Sequence, residues 1–289
     1  MSQVAAASDA GSASPTRSRQ TWIAWLILLL GAAATLAIHQ VSERWVHSMI
    51  EARFELRSDE LRSRLQSHVV GLSEVLRGAQ AYAGQNEVVT PESWQRLRDT
   101  MNLDESYPGF ADLIHLRAVK PEDLPEVLRR QSQYSGRDIV VRPPGERDFY
   151  VLVANLAPVT ERNAVALGAD SWSSPVRRQA LERARDSGDP AITAMTQLVI
   201  DQNPEPAFLI YQPVYSYGLL PASLEERREL LAGYVGTSLR YRDLLRQLLP
   251  QKGEPDLLVQ LYDSSAAQAS PDTLAYSSPQ PSDGLITGL

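Results

Sequence analysis

The stretch LGADSWSSPVRRQALERARDSG, Leu167 to Gly188, places an acid before a short polar turn, a proline-initiated helix and a glycine stop. Ser174 stands where it can cap free N–H groups, Pro175 takes the first helical position, and Gly188 can adopt the left-handed conformation that ends a helix. Val176, Ala180, Leu181 and Ala184 share a face and read as its inner side. Arg177, Arg178, Glu182, Arg183, Arg185 and Asp186 are left to water, with Arg178 and Glu182 one turn apart; the same arginines have the chemistry to hold an anionic ligand. Asp170 precedes the helix, in a loop after VALGA, which reads as strand and turn. An aspartate there either bonds its own backbone as a turn former or offers a carboxylate to a ligand.

Downstream, AITAMTQLVI and AFLIYQPVY read as strands separated by the turn-rich DQNPEP, followed by a strand at LAGYVGTSL. RYRDLLRQLLP is an amphipathic helix closed by Pro250, and DLLVQLYD is a last strand. Upstream, TPESWQRLRDTM opens with Thr90 as N-cap and Pro91 at the first helical position, and Trp94, Leu97 and Met101 share a face. DLIHLRAV alternates as a strand, PEDLPEVLRRQS suggests a helix, and DIVV and DFYVLVANL are strand-like on either side of a turn at RPPGER. Hairpin-like strands with short helices between them favour an α+β fold over a doubly wound parallel sheet. Residues 89–263 are thus read as one folded region, and 264–289, rich in Ser, Pro and Ala, as an irregular tail.

The apolar run WIAWLILLLGAAATLAI, Trp22 to Ile38, holds no charge and approaches the ~20 residues that cross ~30 Å of hydrocarbon, so residues 21–41 read as a transmembrane helix. Trp22, Trp25 and Trp45 suit the headgroup regions. A cleaved signal peptide is the competing reading, although the run exceeds the usual hydrophobic stretch of such peptides. Residues 1–20 lack an apolar face and are expected to be a disordered cytoplasmic tail, with Arg17 and Arg19 supporting that orientation. Beyond the span, 42–88 reads as a stalk helix. Leu65, Val69, Leu72, Leu76, Ala79 and Ala83 form one apolar seam along it, suited either to a second copy in a parallel homodimer or to the domain that follows.

Composition narrows the chemistry. A formal net charge of -7 disfavours binding to a phosphate backbone, so no nucleic-acid partner is expected. The absence of cysteine removes disulfides, thiolate nucleophiles and cysteine-bound metals. His39, His47, His68 and His115 lack metal-binding spacing, and no cofactor motif is present. A hydrolase built on Asp170, Glu161 or Asp186 would lack any Ser–His–Asp signature or phosphate-cradling loop, so no enzyme is expected in this chain.

YPGF (107–110), RPPGERDFY (142–150), NAVALGADSWSSPVRRQALERARDSGD (163–189) and YQPVY (211–215), in that order, resemble the CHASE domain, the extracytoplasmic sensory module of membrane histidine kinases and nucleotide cyclases. The resemblance covers about residues 106–262. It implies a stalk helix carrying two PAS-like α+β halves, the membrane-distal one with a small-molecule pocket. In cytokinin-binding members the acid at this place in the motif hydrogen-bonds an adenine-like ring, which makes Asp170 the candidate here. Residues of the two strands after the helix line that pocket, adding Leu198 and Tyr211. The plant receptors carry a small hydroxyl residue where Tyr211 aligns, and a tyrosine fills space a ligand substituent takes there, which argues against cytokinin itself.

The resemblance implies a small-molecule-sensing input domain on the outer face of a bacterial inner membrane. Ligand occupancy would pass through stalk and membrane helices to an effector, a kinase or diguanylate cyclase, carried on a longer parent or a separate protein. The alternative is a ligand-independent, membrane-anchored dimerisation or partner-binding module.

Overall fold

The computed structural model describes residues 16–107, 110–200, 205–218, 220–248, 259–262 and 274–277, with only the backbone at some positions of the first helix. Helices and strands follow in the order α1 (Thr16–Gln85), α2 (Pro91–Thr100), α3 (Leu103–Ser106), β1 (Leu113–Val119), α4 (Leu124–Ser135), β2 (Tyr150–Ala157), α5 (Pro175–Ser187), β3 (Ala191–Ile192), β4 (Ala207–Tyr215), α6 (Leu224–Glu229), β5 (Leu231–Arg240), α7 (Tyr241–Leu248), β6 (Gln260–Tyr262) and β7 (Leu274–Ser277). The chain forms two compact units, Met1–Glu60 and Leu61–Leu289.

In the first unit α1 is helical through the apolar run, where Trp22, Trp25, Leu28, Leu29, Leu36 and Ile38 are exposed. Among the described residues no helix is long and apolar enough to cross a membrane.

The second unit is built on a five-stranded sheet in the order β2-β1-β5-β4-β3, every neighbouring pair antiparallel. The α+β expectation holds, and so does a strand at each of DLIHLRAV, DFYVLVANL, AFLIYQPVY and LAGYVGTSL. Side-chain alternation sends Phe208, Ile210, Val214, Val235 and Leu239 to one face, where they pack with the C-terminal part of α1, with α2 and with α7. Leu209, Tyr211 and Tyr234 go to the other face, against α5 and the loops around it. A second sheet, β6 with β7, has two strands among the described residues.

The α1 seam finds its partner within the chain. Leu72, Leu76, Ala79 and Ala83 are buried in the first core, Leu65 packs partly against it, and Gln80 Nε2 donates to the Pro213 carbonyl at 2.7 Å. Of the two partners considered for that seam, a second copy or the domain that follows, the domain is the one it packs on. The face is already covered, because an amphipathic helix next to a half-covered sheet buries most by lying on it.

Other expectations fail in instructive ways. DIVV forms no strand and VALGA becomes a 3-10 turn at Ala164–Ala166, yet Ile139, Leu167 and Ala169 are buried. Their apolar character serves loop packing rather than a strand ladder. AITAMTQLVI pairs as a strand only at Ala191–Ile192, with a lone bridge from Thr196 to Ala207. Part of the stretch read as an irregular tail forms β7, paired with β6. Thr90 caps α2 as expected, in a reciprocal pair with Ser93, whereas Ser174 makes no side-chain cap on α5. The capping box of Ser223 and Glu226 on α6 was legible and overlooked.

Trp94 donates its indole N–H to the Leu113 carbonyl and stacks obliquely on His115, with ring centroids 5.3 Å apart. His115 Nδ1 lies 3.1 Å from Asn155 Nδ2, which also donates to the Val89 carbonyl. Burial, helped by nearby Arg117, pushes the imidazole down to about 3. An unfolded histidine titrates near pH 6.5. The neutral ring therefore contributes its full stability above that pH and loses it as the pH falls toward 3, at up to about 1.4 kcal/mol per pH unit. Urea midpoints are expected to drop between pH 7.5 and pH 5, and His115→Gln to reduce that drop. An identical drop in the variant would show that this histidine does not set the slope.

Candidate functional site

The loop carrying Asp170 is held by the preceding motif. Arg142 donates through Nη2 to the carbonyls of Val165 and Leu167 at 2.8 and 2.7 Å. Its backbone N–H bonds the Gly168 carbonyl at 3.1 Å, and its own carbonyl accepts from Asp170 N–H at 2.7 Å. Gly168 adopts φ +82°, and a Cβ there would lie 2.4 Å from the Val140 carbonyl oxygen, so only glycine lets the two segments close.

That closure turns Asp170 inward over β2. Oδ1 accepts from the backbone N–H groups of Val151 and Trp172, both at 3.0 Å. The second bond caps the 3-10 turn Ser171–Ser173, so the turn-forming role considered for Asp170 is real. Oδ2 is different: it is buried with no hydrogen bond, and Arg147 Nε stands 3.4 Å away. The side chain is 0% exposed. Burial pushes its carboxyl above the usual range, against the pull of the two N–H groups and of Arg147 and Arg178. Arg147 is itself engaged, bonding the carbonyls of Gly145 and Pro143.

Asp170 lines an open cleft of about 870 Å³, together with Arg142, Pro143, Pro144, Met195 and Pro206. Adjoining it is a smaller cavity of about 50 Å³ between the sheet and α5, walled by Ile114, Leu116, Val153, Leu198, Leu209 and Tyr211. Ala169, Arg177 and Val199 belong to both spaces. Leu198 and Tyr211 thus meet in the inner cavity, and Asp170 sits in the outer cleft beside it. Cleft and cavity together have the size and mixed lining of a small-molecule site. Glu161 and Asp186, the other acids weighed, line neither; Asp186 pairs with Arg228 at 2.6 Å and with Arg185, which hold its carboxyl well below the usual range.

Three polar residues of the inner cavity were not singled out from sequence. Asp112 is buried with Ser238 closed on it, the backbone N–H at 2.9 Å from Oδ1 and the hydroxyl at 2.9 Å from Oδ2; burial raises its carboxyl despite these bonds. Arg177, assigned to water, is 8% exposed and donates through Nη2 to the Gln197 carbonyl at 2.9 Å. Its place was readable: Arg177, Ala180, Leu181 and Ala184 follow the i, i+3, i+4, i+7 spacing of a buried stripe. Asp112 and Ser238 stand 126 residues apart, and nothing local in the sequence joins them.

A family model described as the CHASE domain matches residues 87–276. The chain belongs to the CHASE domain family. The match begins just after α1 and runs into β7, further at both ends than the motifs that first suggested it. CHASE domains are extracytoplasmic sensory modules, so this one is an input unit of a receptor rather than a catalyst. Among solved structures, "Methyl-accepting Chemotaxis protein X" is similar with a TM-score of 0.39 at 15% identity, over 77% of this chain and 76% of that one. The periplasmic sensory domain of the Campylobacter jejuni chemoreceptor Tlp1 is similar with a TM-score of 0.41 at 11% identity, over 77% and 69%. No curated protein matches.

The two hydrogen bonds to Asp170 Oδ1 give a structural test. Asp170→Ala leaves the N–H groups of Val151 and Trp172 without their acceptor and is expected to cost about 2–4 kcal/mol. Asp170→Asn keeps an oxygen there and is expected to cost about 1 kcal/mol or less. Urea midpoints for Ala and Asn that coincide would contradict this assignment.

Proposed function

We propose that this CHASE domain senses a small molecule held at the junction of cleft and cavity, with Asp170, Leu198 and Tyr211 in contact with it. The observation that carries the reading is the buried carboxylate of Asp170, whose Oδ2 makes no hydrogen bond, in a residue that lines a cleft adjoining a largely apolar cavity. An acceptor in that position would fix the orientation of a ligand N–H or O–H, while apolar contact with Leu198 and the ring of Tyr211 supplies most of the affinity.

Anchoring belongs to the same proposal. The charge-free run Trp22–Ile38 lies within one helix, and exposed tryptophans stand at Trp22, Trp25 and Trp45, which supports residues 21–41 as the membrane anchor of an outward-facing sensor in a bacterial inner membrane. Occupancy would pass through α1 to an effector across the membrane. β4 offers the physical link, since Tyr211 faces the cavity while Ile210 and Val214 pack in the core shared with α1. Coupling of this kind is typically ~1–3 kcal/mol. A homodimer would pair through surfaces other than the Leu72–Ala83 seam.

The test is a thermal-shift screen of the detergent-solubilised full chain against a metabolite panel that includes adenine, followed by calorimetry on wild type and Asp170→Asn. At least one compound is expected to bind, and the variant to bind it about tenfold more weakly. Equal affinity would remove Asp170 from the site. A panel without a single stabilising compound, together with cross-linking between copies, would favour the ligand-independent module.

A further inference from the structure

Arg177 is a cation in this region whose hydrogen bonding is left incomplete. Its Nη2 bonds the Gln197 carbonyl, but its Nε is buried with no partner, and no carboxylate among the described residues forms an ion pair with it. A guanidinium carries a full positive charge, and holding one more than nine-tenths buried against a single neutral carbonyl is costly unless a counter-charge arrives. The second unfilled group is the Tyr211 hydroxyl, fully buried in the same cavity, with Ser171 as its polar neighbour and no hydrogen bond of good geometry. Arg177 and Tyr211 both line the inner cavity, and two donors there with unfilled capacity, one of them cationic, suit an oxyanion.

The acids nearby do not supply that counter-charge. Asp112, in the inner cavity, has both oxygens closed by Ser238, and burial favours its neutral form. Asp170, in the outer cleft, is offset by Arg147 and by two backbone N–H groups. Among the other cations of the cleft, Arg142 has its guanidinium engaged by two carbonyls. The unmet positive charge is therefore that of Arg177, at the border shared by both spaces.

Size and lining narrow the chemistry further. The inner cavity, about 50 Å³, holds a head group of a few atoms. The outer cleft is large enough for the rest of a small ligand, and Pro143, Pro144, Met195, Val199 and Pro206 give it an apolar wall. From these observations we infer that the sensed molecule is an organic carboxylate, its head group on Arg177 Nε and the Tyr211 hydroxyl, its apolar body in the outer cleft. The inference rests on the reading of this region as the ligand site and adds the chemical class.

Matched pairs of probes test it by calorimetry on the full chain in detergent: benzoate against benzamide and hexanoate against hexanamide, with inorganic phosphate and adenine as separate arms. The carboxylates are expected to bind and the isosteric amides to bind about tenfold more weakly or not at all. Arg177→Gln should abolish carboxylate binding and Arg177→Lys should restore part of it. Because Arg177 also holds the Gln197 carbonyl, Tyr211→Phe is the second variant: it keeps the buried ring and is expected to weaken benzoate severalfold with an unchanged melting temperature of the free protein. Amides that match the carboxylates, or an Arg177→Gln protein that binds benzoate as wild type does, would overturn the carboxylate class while leaving the pocket in place. Arg177-dependent binding of phosphate without carboxylate binding overturns it as well. If none of the carboxylates binds, the inference falls; adenine binding in that case keeps the broader sensing proposal, and silence from every arm and from the metabolite panel removes both.

Discussion

From Ala207 to Tyr215 every residue of β4 is buried, so this strand has no face for solvent and each side chain must find a layer to pack against. The rest of the domain is arranged around that requirement. On one side the C-terminal part of α1, with α2 and α7, covers Phe208, Ile210 and Val214 in a core that includes Leu76, Trp94 and Val235. On the other side α5 covers Leu209 and Tyr211 through Ala180, Leu181 and Ala184. The first layer is filled by apolar side chains in mutual contact. The second is thinner, because α5 presents alanines and an arginine to the sheet, and loops rather than a second helix complete the cover. A cavity forms where small residues face large ones across a gap that no side chain fills.

Polar groups in that thinner layer are costly, and the structure meets most of the cost locally. Asp112 takes three hydrogen-bond contacts from Ser238, and Asp170 takes two from the backbone and an ion pair from Arg147. Tyr234 reaches the Leu181 carbonyl and Tyr215 the Arg185 carbonyl, which ties α5 to the sheet at two levels. Of the seven buried side-chain atoms without a hydrogen bond among the described residues, Asp170 Oδ2, Arg177 Nε and the Tyr211 hydroxyl belong to residues that line the cleft or the cavity, while those of Arg98, Gln131, Gln212 and Thr237 do not.

Long alternating or continuously apolar runs with turn residues at both ends were readable, and β1, β2, β4 and β5 all fall where such runs stand. So did α2 and α5, whose boundaries are written in Thr90, Pro91, Pro175 and Gly188. Short apolar segments misled: Ile139, Leu167 and Ala169 are apolar for loop packing, and no periodicity distinguishes that from a strand of the same length. The candidate site was legible in part. Leu198 and Tyr211 line the inner cavity and Asp170 the outer cleft, but those positions came from resemblance rather than from the residues themselves. Arg177 was hidden by its charge, since a patterning rule that sends arginines outward overrode the helical spacing that placed it inward. Asp112 was hidden by distance along the chain, as its partner on β5 becomes a neighbour only after β1 and β5 pair.

Three consecutive residues of β4 touch the cavity, the end of α5 and α1 in turn. Tyr211 projects into the cavity, Gln212 Nε2 donates to the carbonyl of Gly188 at the end of α5 at 3.1 Å, and the Pro213 carbonyl accepts from Gln80 of α1 at 2.7 Å. Gly188 has φ +82°, and a Cβ there would come within 2.6 Å of Leu220, so the α5 terminus is held closely on its far side too. A strand buried on both faces cannot absorb a displacement by bulging into solvent. Tyr211, Gln212 and Pro213 thus join the cavity wall, the end of α5 and α1 through one strand. The strand that completes the cavity wall is the same strand that holds the C-terminal part of α1.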